Sequence, residues 1–132
     1  MDDEALRTRF AYAPEVAVSA VPDGPTSVRM SYPSSVGGLG RTPQTTTLTF
    51  RNVLDFRFRE FELGLDLNDP PDTRFALISL PDSGLLRAFR TAGRIRRLAG
   101  TIREEDLKHF RIAFDEHGTY DVVCTGVEPS VT

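Results

Sequence analysis

The stretch HFRIAFDEHGTYDVVC, residues 109–124, gathers the residue types of this chain that could do chemistry. It holds both histidines and the only cysteine, together with three carboxylates. A cysteine becomes a nucleophile when a histidine lies within hydrogen-bond reach, about 2.6–3.2 Å, and takes its proton. The first question is therefore whether Cys124 and His109 meet.

The register of a closing hairpin decides this question. We expect a three-residue loop at 116–118, with Gly118 in the left-handed conformation that ends this type of turn. A two-residue loop at His117-Gly118 would set Phe114 against Asp121, and so bury a carboxylate or expose a ring. The three-residue register instead pairs Phe114 with Tyr120, Ile112 with Val122, Phe110 with Cys124, and Asp115 with Thr119.

In that register the thiol and the imidazole lie on opposite faces of the ribbon. Successive side chains of a strand alternate between faces, so His109 points away from the face that carries Phe110 and Cys124. Cys124 is then predicted to be a small buried hydrophobic residue. We predict no catalytic residue in this hairpin or elsewhere in the chain.

The remaining polar residues of the hairpin have two interpretations. They either solubilise its outer face or form an acidic edge for a basic protein partner. A histidine at a turn tip, with no orienting partner nearby in the sequence, is usually only solvated. The candidate partner-binding residues are Asp115, Glu116, His117 and Asp121.

The densest basic run begins in a predicted helix and continues beyond it. Positive charge late in a helix complements its negative C-terminal end and stabilises it by about 0.3–1 kcal/mol per charge. The functional interpretation is a site for an anion or an acidic partner. The candidate anion-binding residues are Arg87, Arg90, Arg94, Arg96 and Arg97. A net charge of −3 and the lack of interleaved exposed aromatics argue against nucleic acid as a partner.

Three other polar stretches resemble ligand-binding or catalytic motifs, but their residues do not have the arrangement that those motifs require. The glycine-rich loop 33–44 lacks the third glycine of a dinucleotide-binding fingerprint, because position 43 is proline. The acidic stretch 66–72 has two prolines where a calcium loop turns on glycine. Glu60, Glu62 and Asp66 share one strand face and would be paired carboxylates only if that face lined a cavity; alternation with apolar residues favours solvent instead. We predict no cofactor and no metal.

Strands must position most of these residues. EVAVSAV (15–21) and SVRMSY (27–32) flank a Pro-Asp-Gly-Pro turn and predict a first hairpin. From Thr45 to Asn68 the apolar residues keep a period of two, with a break near Arg51-Asn52 and a parity switch near Arg59-Glu60 that a β-bulge would absorb. RFALISL (74–80) predicts another strand.

One helix completes the prediction. Ser83 can cap its N-terminus, apolar residues follow at helical spacing, and Gly93 ends it, which places the helix at about 83–92. A capping-box pattern at Thr101–Glu104 indicates one further helical turn. The predicted fold class is α+β, mainly β: about eight short strands in an antiparallel sheet, rolled or sandwiched, with this helix covering one face or end.

Length and composition indicate a single globular domain. The length of 132 residues suits a single domain, and 39% apolar with 27% charged residues is typical of a globular protein. The N-terminus is acidic where a signal peptide is basic, and no apolar run approaches the roughly 18 residues of a membrane span. These features predict a cytoplasmic protein.

Two segments of the chain resemble segments of small uncharacterised bacterial cytoplasmic proteins of similar length. They are HFRIAFDEHGTYDVVC (109–124) and LTFRNVLDFRF (48–58). The resemblance extends over about a third of the chain. Some proteins of this kind are immunity partners for toxins in bacterial competition systems. The resemblance implies such a role and carries over no catalytic residue.

Three hypotheses follow. The leading one is a non-enzymatic protein-interaction module of unknown specificity, with toxin neutralisation as its most specific form. The second is a small-molecule-binding β-barrel or sandwich, which would enclose a cavity of a few hundred cubic ångströms. The third is a carboxylate- or metal-dependent enzyme that uses Glu60, Glu62 and Asp66.

Overall fold

The structure, a computed structural model, describes Leu6 and residues 13–20, 26–34, 44–60, 76–91, 104–114 and 117–132. These residues form eight strands in two antiparallel four-stranded sheets, one α-helix and a 3-10 turn at Glu104–Asp106. The strands are β1 (Glu15–Ala20), β2 (Thr26–Ser34), β3 (Gln44–Arg51), β4 (Asp55–Glu60), β5 (Leu77–Ser79), β6 (Lys108–Phe114), β7 (Gly118–Cys124) and β8 (Gly126–Val131), and helix α1 is Gly84–Thr91. The predicted fold class is confirmed.

The first sheet has the order β1-β2-β3-β8 and the second the order β4-β7-β6-β5. The predicted first hairpin is confirmed by the antiparallel pairing of β1 with β2. The predicted break near Arg51-Asn52 is also confirmed, because β3 ends at Arg51 and β4 begins in the other sheet. Asn52 has a φ of +52° there, a conformation that asparagine tolerates better than most residues. β4 pairs regularly with β7 through Glu60, and the residues after Glu60, where the predicted parity switch would be completed, lie outside the described residues.

The two sheets pack face to face and do not close into a barrel. Both sheets contribute alternate side chains to the core between them, and each of these side chains is at most 7% exposed. The core residues are Val28, Met30, Tyr32, Leu48 and Phe50 from the first sheet, and Ile112, Phe114, Tyr120, Val122 and Cys124 from the second. Each large side chain buried in this way contributes roughly 1.5–3 kcal/mol.

Helix α1 covers the other face of the second sheet. Leu86 and Phe89 of the helix pack with Leu107 and with Val123 of β7 in a second, smaller cluster. The central strands β6 and β7 are therefore covered on both faces, and six of the seven residues of β7 are buried. Helix α1 therefore covers the polar side chains on this face of β6 and β7. The alternation of apolar and polar residues along the hairpin predicts instead that this face is exposed to solvent.

The predicted register of the closing hairpin is wrong by two residues. Phe110 pairs with Val122, and Phe114 pairs with Gly118, so that the loop is 115–117. A shift of two preserves parity, and the prediction that Cys124 and His109 lie on opposite faces is confirmed: Cys124 is in the core between the sheets, and His109 pairs with Val123 on the helix side.

Gly118 explains this register. It pairs with Glu60 of β4 as well as with Phe114, and its φ is +153°. A Cβ at this position would lie 2.2 Å from the carbonyl oxygen of Arg59 and 2.5 Å from the ring of Phe58. The close approach of β4 requires a residue without a side chain, so glycine belongs in the strand rather than in the loop.

We expect Gly118→Ala to destabilise the protein by roughly 1–3 kcal/mol, because the new methyl group overlaps backbone that cannot rotate away. Urea unfolding measures the change. Gly126→Ala is the matched control, since a Cβ there would meet nothing within 4 Å, and its effect should stay within about 0.5 kcal/mol. Equal effects of the two substitutions would contradict the close approach of β4 to β7.

Candidate functional site

A chain of three polar side chains runs beneath helix α1. His109 and Asp121 are only 2% and 6% exposed, and the Nε2 atom of His109 lies 2.7 Å from Oδ1 of Asp121. The Nδ1 atom of His109 lies 2.7 Å from Oγ of Ser83. Because an ionised carboxylate only accepts hydrogen bonds, Nε2 must carry a proton, and in the neutral tautomer Nδ1 then accepts from the serine hydroxyl. We call these three residues the Ser-His-Asp relay.

Three separate elements place the relay. Ser83 immediately precedes α1 and caps it, because its Oγ accepts from the backbone N–H of Leu86 at 3.1 Å, as the sequence predicted. His109 lies on β6 and Asp121 on the neighbouring β7, where His109 pairs directly with Val123. The two side chains are therefore diagonal neighbours on one face of the sheet. The N–H of Leu80 donates to the carbonyl of His109 at 2.8 Å and ties the segment before Ser83 to β6.

Two arginines share the carboxylate of Asp121. The Nε–H of Arg111 donates to Oδ1 at 2.9 Å, and a terminal nitrogen of Arg59 lies 3.6 Å from Oδ2. Burial alone raises the pKa of Asp121, but the hydrogen bonds from His109 and Arg111 outweigh burial, so that the pKa is lowered below its ordinary value. Asp121 is therefore a buried carboxylate that stays ionised at neutral pH.

The second feature is an aromatic corner at the loop end of the second sheet, formed by Phe58, His117 and Tyr120. Phe58 is 42% exposed, and its ring stacks on that of His117 with centroids 4.7 Å apart. The Nε2 atom of His117 lies 2.8 Å from the hydroxyl of Tyr120, and burial raises the pKa of this phenol. His117 is thus oriented by two neighbours, one of which comes from a distant strand.

The structure separates the predicted partner-binding residues. Asp121 is buried in the relay, so it is not part of an exposed acidic edge. His117 is half-buried in the aromatic corner. Asp115 and Glu116 lie outside the described residues.

The other predicted sites are described only in part. Arg87 is exposed on α1, and Arg90 is partly buried with an Nε atom that has no hydrogen-bond partner among the described residues. Glu60 is exposed at the end of β4. Arg94, Arg96, Arg97, Glu62 and Asp66 lie outside the described residues, so the anion site and the carboxylate site stay predictions.

Sequence reasoning did not find the relay. The sequence indicates Ser83 only as a helix cap, His109 only as a residue of the face opposite Cys124, and Asp121 only as a residue of an outer, acidic face that could bind a partner. The available signal was that both side chains share a parity and hence one face of the hairpin. The sequence pattern does not give the position of α1. This helix covers that face and places Ser83 within hydrogen-bond distance of His109.

Neither a metal site nor a membrane-spanning helix is present in the described part of the chain. No group of three or more histidine, cysteine, aspartate or glutamate side chains there is arranged to hold a metal ion. No described helix combines the length and the apolar character that crossing a membrane requires. No known protein family, curated protein or solved structure matches this chain.

We expect Asp121→Asn to lower the free energy of unfolding at neutral pH by roughly 1.5–3 kcal/mol, the contribution of a hydrogen bond to a charged group. Because the pKa of Asp121 is lower in the folded protein, its stabilisation is complete above the ordinary value of 3.8 and is lost as the pH falls through the folded value. The difference between wild type and variant should therefore shrink in acid. Urea unfolding across this range measures it.

Asp82→Asn, on an exposed turn, is the control for that experiment and should leave stability nearly unchanged. A difference between wild type and Asp121→Asn that stays constant down to strongly acidic pH would contradict the ionised, hydrogen-bonded state of Asp121.

Cys124 should be unreactive in the folded protein. It is fully buried, and burial raises the pKa of its thiol to about 11, so the thiolate fraction at mildly alkaline pH is roughly 100-fold lower than for a free thiol. A disulfide reagent should therefore label Cys124 quickly only in denaturant. Labelling at the same rate in native buffer would show that the thiol is accessible.

Proposed function

We propose that this chain is a protein-interaction module that binds a partner protein through β4 and the aromatic corner. The observation that carries the proposal is the exposed ring of Phe58, which is 42% exposed on an outer strand. Large aromatic rings contribute much of the binding energy at protein interfaces when a partner removes them from water. Stacking on His117 already fixes this ring, so less conformational entropy is lost on binding.

The backbone of β4 supports the same surface. Among the described residues β4 pairs only with β7, so its other edge is the outer edge of the second sheet. An extended segment of a partner can add to such an edge through main-chain hydrogen bonds, while side chains on the strand give specificity.

Charge indicates the chemistry of the partner. Arg57 and Arg59 flank Phe58, and each of their side chains is 58% exposed. Arg57 is paired with Asp55 and Arg59 approaches Asp121, yet both keep much of their surface in solvent. Because side chains alternate along a strand, the exposed ring lies on one face of β4 and the two guanidinium groups lie on the other. Such an edge suits a partner segment that places apolar side chains beside the ring and carboxylates beside the arginines.

We further propose that this partner is a bacterial toxin, which the module neutralises in the cytoplasm. The support is the resemblance of the closing hairpin and of segment 48–58 to segments of small bacterial proteins, some of which are immunity partners for toxins. Both of these segments contribute to the proposed surface, since Phe58 ends one and His117 lies in the other. The small-molecule alternative gains less support, because the buried apolar side chains between the two sheets form one packed cluster in the described part of the chain.

A photo-crosslinking amino acid in place of Phe58 tests the proposal. In the native cell it should form an adduct with one protein, which mass spectrometry identifies and which should have an acidic face. The same crosslinker in place of Val18 is the control, since Val18 is 61% exposed on the opposite sheet and should not form this adduct.

The identified partner then allows a quantitative measurement. We expect Phe58→Ala to weaken its binding at least about 30-fold, corresponding to the loss of roughly 2 kcal/mol at an interface hot spot. Val18→Ala should bind as wild type does. If the partner cross-links equally from both positions, or if Phe58→Ala binds it normally, the proposed surface is wrong.

A further inference from the structure

We propose that the Ser-His-Asp relay is a serine nucleophile site for small carboxylic esters, an activity beyond the proposed partner binding. A serine hydroxyl is a weak nucleophile unless a base takes its proton, and the base acts well only when a third group orients it. Ser83, His109 and Asp121 supply these three roles in series, with both connecting distances at 2.7 Å.

The proton positions required for this chemistry follow from the hydrogen bonds. The carboxylate of Asp121 accepts the Nε2 proton of His109, which leaves the lone pair of Nδ1 directed at the hydroxyl of Ser83. In chymotrypsin-type enzymes the two ring nitrogens have the opposite assignment. The chemistry requires only that one nitrogen is held by the carboxylate and that the other faces the serine.

The start of helix α1 supplies a place for negative charge. The N–H of Leu86 binds Oγ of Ser83, and the N–H of Arg87 binds the carbonyl of Ser83 at 3.1 Å. The N–H groups of Gly84 and Leu85 are the first two of the helix and have no intrahelical acceptor by helix geometry. They lie next to the nucleophile at the positive end of the helix, where an oxyanion is stabilised.

Ser83 is also accessible to a substrate. It is partly exposed, whereas His109 lies behind it in the interior, and the neighbouring Asp82 and Gly84 are exposed. A Cβ built on Gly84 would meet no atom within 4 Å, so space is open beside the serine. Nucleophile and base thus have the exposure that each role requires.

The reaction is an acyl transfer in two steps. Oγ of Ser83 attacks the ester carbonyl, its proton passes to Nδ1 of His109, and the C–O bond to the alcohol breaks as the alcohol leaves with that proton. Water then attacks the acyl-serine, gives a proton to His109, and releases the carboxylic acid as the proton returns to Oγ. Because Arg111 and Arg59 share the charge of Asp121, stabilisation of the imidazolium is reduced, and we expect slow turnover that favours esters with good leaving groups.

Covalent labelling of the purified full chain by a fluorophosphonate is the test, with hydrolysis of p-nitrophenyl acetate as the second readout. Intact mass and peptide mapping should show one adduct, on Ser83. Ser83→Gly should abolish it, and glycine is tolerated at a helix N-cap, so the fold is kept. His109→Gln should slow labelling at least 10-fold. Ser130→Ala, at an exposed serine on β8, should label as wild type does.

Wild-type labelling no faster than that of Ser83→Gly would overturn the proposal and leave the relay with the single role of joining α1 to the sheet. Labelling at another serine would overturn it as well. If His109→Gln unfolds, which circular dichroism detects, the comparison of wild type with Ser83→Gly still decides. The assay contains no partner protein, so its result is independent of the proposed interaction surface.

Discussion

The buried carboxylate of Asp121 is the interaction on which the helix side of the molecule depends. A charge in this position is costly to remove from water, and it is tolerated because His109 and Arg111 both donate to it while Arg59 lies close by. The same hydrogen bonds fix the imidazole of His109, which in turn holds Ser83. One ionised group therefore determines how the start of α1 sits on β6 and β7.

This constraint follows from the layered architecture. The second sheet is covered on one face by the first sheet and on the other by α1, so neither face of its central strands belongs to solvent. A sheet covered twice usually carries apolar residues on both faces. Here the helix side of β6 and β7 keeps a histidine, an arginine and an aspartate, and their polar groups satisfy one another rather than water.

The sequence allowed the local elements to be predicted better than their assembly. Periodicity located the first hairpin, the break at Arg51-Asn52, the helix and its Ser83 cap, because each depends on neighbours in the chain. The predicted hairpin register is wrong by two residues. Position 118 must be glycine because β4, about 60 residues away in the sequence, packs closely against it. The relay was missed for the same reason, since alternation gives the face of a side chain and not what covers that face.

Arg59 connects the two surfaces for which we propose functions. Arg59 follows the exposed Phe58 in β4, and its guanidinium lies on the opposite face of the strand from that ring, 3.6 Å from the carboxylate of Asp121. A partner carboxylate that engages Arg59 would compete with Asp121 for this group. Asp121 would then keep more of its charge for His109 and would orient the imidazole more strongly. Partner binding along β4 and the hydrogen bond between Asp121 and His109 are therefore linked through one side chain, and linkage of this kind acts equally in both directions.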